Sequence, residues 1–250
     1  MKLALIGDPV EHSWSPRLHR RFLDEADLDG SYVTLRVPRA NAVTVIRRMH
    51  LDGYVGCNVT YPLKEEALRA CDTLTTEAER SEAVNTIFFG RDIVGTNTDG
   101  IGSRTAIEAL IDEPIALKRV GVLGYGATAR AILAELHDND AYAFVWGRDP
   151  ARVRAACERF EAEPWPKEKL PEMVVSTLPP DVRNPHNLLA DLHAPDLVMD
   201  VNYGQRATLM RQLDREVVAG EAMLEAQARA SFDFWLAHVE GLDPETVLEP

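Results

Sequence analysis

Lys64 and Asp99 are the residues of this chain best suited to acid–base chemistry, because each stands in a polar stretch that follows a strand-like apolar run: Asn58-Val-Thr-Tyr-Pro-Leu-Lys64 and Thr96-Asn-Thr-Asp-Gly100. Polar groups at strand ends can converge on a ligand. A third run, Leu123-Gly-Tyr-Gly-Ala-Thr-Ala-Arg130, lies between the strand-like Arg119-Val-Gly-Val-Leu123 and an alanine-rich helical pattern. Its glycines, Gly124 and Gly126, permit a tight turn and let a pyrophosphate approach backbone N–H groups at a helix N-terminus, with Ala127 as the third small residue. A lysine, an aspartate and a dinucleotide turn together point to redox chemistry. Taken singly, each has a plainer reading: Lys64 before Glu65-Glu66 as a solvated helix start, Asp99 as a helix cap, and the glycine pair as an ordinary strand-to-helix turn.

The kind of dinucleotide is read about 20 residues past such a turn, where an acidic residue suits the ribose of NAD and arginines suit the 2′-phosphate of NADP. Here the next strand ends Phe144-Val-Trp-Gly-Arg-Asp-Pro150. Arg148, with Arg152 one helical turn further on, can clamp a phosphate through charge-assisted bonds, which favours NADP over NAD. Asp149 has two readings: it caps the following helix, or it competes for a ribose hydroxyl.

These side chains need strands that end where they stand. Strand-like runs occur at 3–6, 32–37, 53–59, 84–89, 93–96, 120–123, 143–146, 173–176 and 197–201, and helical patterns at 16–26, 40–49, 62–70, 102–110, 127–137, 150–160 and 207–215. The alternation predicts an α/β fold with largely parallel sheets covered by helices on both faces. Ser15-Pro16 and Asp149-Pro150 each predict a cap residue followed by a proline in the first helical position. The proline-rich segments 163–167 and 178–185 read as loops. A boundary at Gly100–Gly102 and a second near Gly220 predict two domains, 1–101 and 102–220, with a final helical segment from 221 whose docking side periodicity does not fix.

Composition narrows the function classes. A chain of 250 residues, 46% of them hydrophobic, can bury a substantial core, and 27 Lys+Arg against 40 Asp+Glu give a formal charge of −13 that argues against a nucleic-acid partner. Cys57, Cys71 and Cys157 form no CxxC pair; they read as small core residues, with neither a metal site nor a disulfide framework expected. The apolar start at Met1 reaches a polar turn too soon for a signal peptide, and no apolar run approaches the roughly 20 residues that span a bilayer. A cytoplasmic enzyme without membrane contact is the expectation.

The motifs His12-Ser-Trp-Ser-Pro16, Asn58-Val-Thr-Tyr-Pro-Leu-Lys-Glu-Glu66, Ala83-Val-Asn-Thr86, Gly95-Thr-Asn-Thr-Asp-Gly100, the glycine turn and Met223-Leu-Glu-Ala-Gln227 occur in one order. In that order, and over nearly the whole chain, the sequence closely resembles the shikimate dehydrogenase family. The resemblance implies an N-terminal substrate domain, a Rossmann-type NADP-binding domain and a C-terminal helical segment, 221–250, that returns to the first. It implies reversible reduction of 3-dehydroshikimate to shikimate with NADPH, a step in the synthesis of chorismate and the aromatic amino acids. Lys64 and Asp99 then match the catalytic pair, set together in an interdomain groove facing the nicotinamide: lysine binds the oxygen and relays its proton while aspartate orients and charge-balances it.

By the same resemblance Ser13 and Ser15 hydrogen-bond the substrate carboxylate, Thr60, Asn85 and Gln227 hold ring hydroxyls, and Tyr203 adds a further contact. The implied cofactor set is Gly124, Tyr125, Gly126, Ala127, Thr128, Gly147, Arg148, Arg152, Val201 and Gly220. The expected partner is a small-molecule substrate, met by a monomer or homodimer. The chain departs from the family pattern at Glu82 and Ala127, each in place of a glycine, at Pro179-Pro180 in place of a longer loop, at Asp200-Val-Asn-Tyr-Gly-Gln205, which lacks a proline after the tyrosine, and at Ala222. These departures leave two alternatives: a quinate or quinate/shikimate dehydrogenase using NAD, and a catalytically weak paralogue that binds shikimate-like ligands.

Overall fold

The computed structural model describes residues 1–166, 168–180, 188, 190–195, 197–207 and 217–241. The chain forms two compact units: Met1–Thr98 together with the chain from Gln227, and Asp99–Ala226. The first contains β1 (Lys2–Gly7), α1 (Ser15–Glu25), β2 (Ser31–Arg36), α2 (Ala42–Leu51), β3 (Gly56–Val59), α3 (Lys64–Ala67), β4 (Thr73–Leu74), α4 (Thr76–Ser81), β5 (Thr86–Phe89) and β6 (Ile93–Thr96). Its sheet runs β2-β1-β3-β5-β6-β4. Strand β1 is central and wholly apolar inside, with Leu3, Ala4 and Ile6 at 0% exposure, as expected of a strand covered on both faces. Ala42, Ile46 and Met49 of α2 close one face over Ile6, Val59 and Ile87.

The second unit contains α5 (Asp99–Ile111), β7 (Arg119–Leu123), α6 (Ala127–Asp138), β8 (Tyr142–Trp146), α7 (Pro150–Phe160), β9 (Glu163–Pro164), β10 (Met173–Ser176), β11 (Val198–Asp200) and β12 (Val217–Ala219). All its strand pairs are parallel, in the order β12-β11-β10-β7-β8-β9. The chain moves one way from β7 to β8 and β9 and the other way to β10, so the order reverses beside β7. Crevices at such reversals are where doubly wound sheets bind ligands. The last helix, α8 (Glu221–Gly241), begins in the second unit and from Gln227 belongs to the first.

The α/β class stands as expected, with three local differences. Strands β5 and β6 form an antiparallel hairpin, because Gly90-Arg91-Asp92 is too short for the crossover that parallel neighbours require. The segment read as a loop at 163–167 begins with β9, where Pro164 is tolerated because the strand lies at the sheet edge. Ser15 is the first residue of α1 rather than its cap, and its own N–H donates to the Ser13 hydroxyl at 3.2 Å; Asp149 does cap α7, accepting from the Ala151 N–H at 2.9 Å. The helical pattern at 207–215 lies, beyond Ala207, outside the described residues, as does most of the 178–185 segment. Glu82 ends α4 with φ 49°, a left-handed conformation that explains why glycine is usual there.

Residues of α8 are built into the first unit. The Trp235 indole, 0% exposed, donates to the Ile87 carbonyl at 2.9 Å, and a Cβ at Gly56 would lie 2.3 Å from its Nε1, so glycine is what leaves room for the ring. Arg229 pairs with Glu25 and lies 3.7 Å over the Phe22 ring. Beside them His19, also 0% exposed, stacks on Tyr32 at 4.4 Å with Phe22 edge-on at 5.6 Å. Neither of its ring nitrogens has a hydrogen-bond partner among the described residues.

Burial therefore pushes the His19 imidazole down to about 3, with neighbouring Asn58 acting the other way and the Arg229 guanidinium reinforcing the drop. The folded state holds the ring neutral while the unfolded chain takes up a proton below its ordinary value of 6.5. Stability from this group is thus complete above that value and is lost as pH falls toward 3, by about 1.4 kcal/mol per pH unit. Urea unfolding at pH 7 and pH 5 should show a steeper loss for the native chain than for His19→Phe, the difference being about 2 kcal/mol; equal losses would remove His19 as the cause.

Candidate active site

In the first unit the ends of β1, β3 and β6 and the start of β5 lie along one sheet edge. Gly7 closes β1 there: an added Cβ would stand 2.4 Å from Thr60 Cγ2 and 3.0 Å from the Tyr61 carbonyl. Only a glycine allows the loops after β1 and β3 to meet this closely. They are joined by Thr60 N–H to the Ile6 carbonyl at 2.9 Å and Asp8 N–H to the Tyr61 carbonyl at 3.0 Å. The turn Leu63 N–H to Thr60 carbonyl, 2.9 Å, then delivers Lys64 as the first residue of α3.

Backbone bonds bind Lys64 into the neighbourhood of Asn85. The Val84 N–H donates to the Lys64 carbonyl at 2.9 Å, and Val59 N–H donates to the Asn85 carbonyl at 2.7 Å. The Asn85 amide, 2% exposed, is fixed in turn: its oxygen accepts from the Thr98 N–H and the Thr86 hydroxyl, both at 2.9 Å. Its nitrogen donates to the Thr98 hydroxyl at 3.0 Å and reaches Gln227 Oε1 at 3.4 Å. Thr60, Lys64, Asn85 and Gln227 are thereby linked on one edge. Ser13 and Ser15 form a pair of their own at the entry to α1, the Ser13 hydroxyl donating to Ser15 Oγ at 3.1 Å and accepting from the Ser15 N–H at 3.2 Å.

In the second unit the glycine turn connects β7 to α6. Gly124 has φ +104°, and an added Cβ would lie 2.5 Å from the Thr177 hydroxyl. That hydroxyl donates to the Leu123 carbonyl at 2.8 Å, while the Gly124 N–H donates to the Trp146 carbonyl at 2.8 Å, so both flanking strands hold the turn. A Cβ on Gly126 would meet nothing within 4 Å, which leaves open space outside the turn where the first amides of α6 emerge. Ala127 and Thr128 open the helix. These features fit a pyrophosphate against the helix N-terminus.

Next to the turn, Gly147, Arg148 and the capping Asp149 follow β8. Asp149 caps the helix through one carboxylate oxygen, which accepts from the Ala151 N–H. Arg148 and Arg152 flank this cap, and the Arg152 guanidinium donates to the Tyr125 carbonyl at 2.8 Å and lies 5.3 Å over the Tyr125 ring. Val201 and Gly220 are in contact: a Cβ on Gly220 would stand 2.4 Å from the Val201 carbonyl oxygen. Tyr203 precedes a short 3-10 turn at Gly204–Arg206, closed by its own carbonyl. Asp99 is 5% exposed in the first turn of α5 and accepts from the Thr128 hydroxyl at 2.9 Å. Two residues that the motifs place in different roles, Asp99 and Thr128, are thus bonded to each other.

Four polar residues absent from the motif-derived set support it. Thr98 braces Asn85, Thr177 braces Gly124, Asn202 ties Asp200 to the Leu178 carbonyl at 2.9 Å, and Ser231 joins Thr86, Thr98 and Gln227. Thr98 sits inside the Thr96–Gly100 motif, a position that could have flagged it, whereas Ser231, one turn beyond Gln227, lies outside every motif. Among the described residues no cluster of three or more His, Cys, Asp or Glu side chains could hold a metal ion, and no helix is long and apolar enough to cross a membrane.

Comparison with known proteins identifies the family and the fold. Residues 5–87 match the family model described as the shikimate dehydrogenase substrate binding domain. The shikimate dehydrogenase (NADP(+)) of Jannaschia sp. (strain CCS1) is 35% identical, covering 97% of this chain and 94% of the relative; that of Herminiimonas arsenicoxydans is 31% identical over 98% and 94%. A shikimate 5-dehydrogenase from Thermus thermophilus, solved with NADP(H) and shikimate, is 29% identical and superposes with a TM-score of 0.81 over 99% of this chain and 97% of its own. The Aquifex aeolicus shikimate dehydrogenase, 26% identical over 99% and 95%, gives 0.84. With the glycine turn, the linked strand-end residues and relatives spanning almost its full length, the chain belongs to the shikimate dehydrogenase family.

Proposed function

We propose that this chain catalyses the reversible NADPH-dependent reduction of 3-dehydroshikimate to shikimate, and so serves the synthesis of chorismate and the aromatic amino acids. The observation that carries the reading is the backbone bonding that holds the Thr60–Lys64 turn beside the Val84-Asn85 segment, with Asn85 in turn reaching Gln227, in a chain whose relatives over nearly its full length are NADP-dependent shikimate dehydrogenases. On this reading the protein acts on a small molecule in the cytoplasm, as a monomer or homodimer, with residues 1–101 and the C-terminal helix as substrate domain and 102–220 as cofactor domain.

Ketone reduction needs a hydride at carbon and a proton at oxygen, and a bound nicotinamide dinucleotide supplies the first. Lys64 supplies the second: its ammonium hydrogen-bonds the carbonyl oxygen, stabilises the growing negative charge and gives up a proton to the alkoxide. Asp99 is the second acid–base group, held by the Thr128 hydroxyl at a helix N-terminus that favours its negative charge. Ser13 and Ser15 take the substrate carboxylate, while Thr60, Asn85, Gln227 and Tyr203 hold the rest of the ring. Gly124–Thr128 would hold the pyrophosphate, Arg148 and Arg152 the 2′-phosphate, and Gly147, Val201 and Gly220 the remaining edges of the cofactor. Asp149 spends one carboxylate oxygen on the helix cap, and the reading of NADP over NAD rests on Arg148 and Arg152 together with the NADP-dependent relatives.

Absorbance at 340 nm with shikimate and NADP should rise, with turnover on quinate far slower; absence of turnover with either nicotinamide would reject the activity. Lys64→Ala should lose at least about a hundredfold in kcat with little change in substrate affinity, as for removal of a general acid. Wild-type turnover in that variant would exclude Lys64 from proton transfer. Arg148→Ala with Arg152→Ala should raise KM for NADP on the order of a hundredfold while leaving KM for NAD within about threefold. An equal rise for both cofactors would show that these arginines do not read the 2′-phosphate.

A further inference from the structure

Ser231 occupies the centre of a buried polar lattice in the first unit. It is 0% exposed and stands one helical turn after Gln227 in α8. Its hydroxyl oxygen lies 2.9 Å from the Gln227 carbonyl, 2.7 Å from Thr86 Oγ1, and 3.1 Å from both Asn58 Nδ2 and Thr98 Oγ1. A hydroxyl has one proton to give and two lone pairs. Because Thr86 gives its own proton to Asn85, the Ser231 proton goes to Thr86 Oγ1, the shortest of the four contacts, while the Asn58 amide and the Thr98 hydroxyl fill the two lone pairs.

Those neighbours reach the residues assigned to the substrate. Thr86 donates to the Asn85 side-chain oxygen at 2.9 Å, and Thr98 contacts both the Asn85 amide and the Gln227 backbone and side-chain oxygens, at 3.0–3.4 Å. Asn58 is anchored from the far side by the Tyr32 hydroxyl at 2.8 Å. One serine therefore sits between the strand that carries Asn85 and the helix that carries Gln227. We propose that Ser231 is a positioning residue: it sets the register in which the Asn85 and Gln227 amides are presented together to the hydroxylated ring. This rests on the assignment of Asn85 and Gln227 as holders of the ring hydroxyls.

Removing the hydroxyl does not undock the helix. Trp235 keeps its bond to the Ile87 carbonyl, Phe232 stays fully buried, and Arg229 keeps Glu25. What changes is local: the Asn58 amide and the two threonine hydroxyls must pair again, and the Asn85 and Gln227 side chains bonded to those threonines shift with them. A buried network of this kind is costly to leave half-satisfied, so the rearrangement follows from the deletion.

The test compares Ser231→Ala, Gln227→Ala and the double variant in the full chain. Ser231→Ala should raise KM for shikimate, and its Kd by calorimetry, on the order of tenfold, while KM for NADP stays within about twofold. In the Gln227→Ala background the same substitution should add less than about threefold, because the group it positions is gone. Thr86→Val, which removes the hydroxyl between Ser231 and Asn85, should reproduce the shikimate effect and provides the readout should Ser231→Ala fold poorly. An unchanged shikimate KM in both variants, a matching rise for NADP, or full additivity with Gln227→Ala would each overturn the inference. Wild-type protein that binds shikimate without turning it over would sink the activity proposed above and leave the Kd ratios to judge Ser231; wild-type protein that fails to bind shikimate would overturn both.

Discussion

A buried amide or hydroxyl must find a partner, and the first unit concentrates that requirement in one place: Asn58, Asn85, Thr86, Thr98 and Ser231, all 5% exposed or less. No single element can satisfy these five. Asn58 lies in β3, Asn85 directly precedes β5 and Thr86 opens it, Thr98 follows β6, and Ser231 comes from α8. Each bond between them fixes one element against another, so the polar lattice orders the strand ends as firmly as the surrounding aliphatic core orders the strand middles. The edge that holds Thr60 and Lys64 is built on that foundation, through the Val59–Asn85 and Val84–Lys64 backbone bonds.

The second unit solves its own problem by different means. Its sheet is parallel throughout and its core aliphatic, with Val120, Val122, Ile132, Leu133 and Val175 all at 0% exposure. Polar pairing there is concentrated in the loops beyond the strands, where Thr177, Asn202 and Asp149 each fix a turn. A rigid apolar platform with polar loop braces is the arrangement by which α/β proteins separate stability from recognition. Gly124 joins the two roles, since its positive φ shapes the turn and its missing side chain admits the Thr177 hydroxyl.

Much of this was legible in the residues. Continuous apolar runs such as Leu3–Ile6 and Val120–Leu123 gave away the buried strands, and Asp149-Pro150 gave away the start of α7, because fully covered strands and capped helix starts leave local signatures. The short strands β4, β9 and β12 did not show, since two or three residues cannot establish a period and their pairing is decided by neighbours distant in sequence. The antiparallel turn at Gly90 escapes for a similar reason: alternation of strand and helix reads the order of elements and not their direction. Ser15 looks like a cap by composition, yet its hydroxyl is drawn to Ser13 instead. Most of the polar site stands out because its residues cluster in short motifs; Ser231 and Thr177 do not, because each matters through a contact with a segment far away in the chain.

The division of α8 between the units has a consequence for how the protein is made. Trp235, which fills the space above Gly56 and bonds Ile87, is encoded far behind the strands it completes. A ribosome therefore finishes every strand of the second unit before it delivers the residue that closes the first. Synthesis runs from the N-terminus, and the first unit waits for residues from Gln227 onward before its own set of contacts is complete. The unit that carries Lys64 is therefore complete only once the last helix has been made.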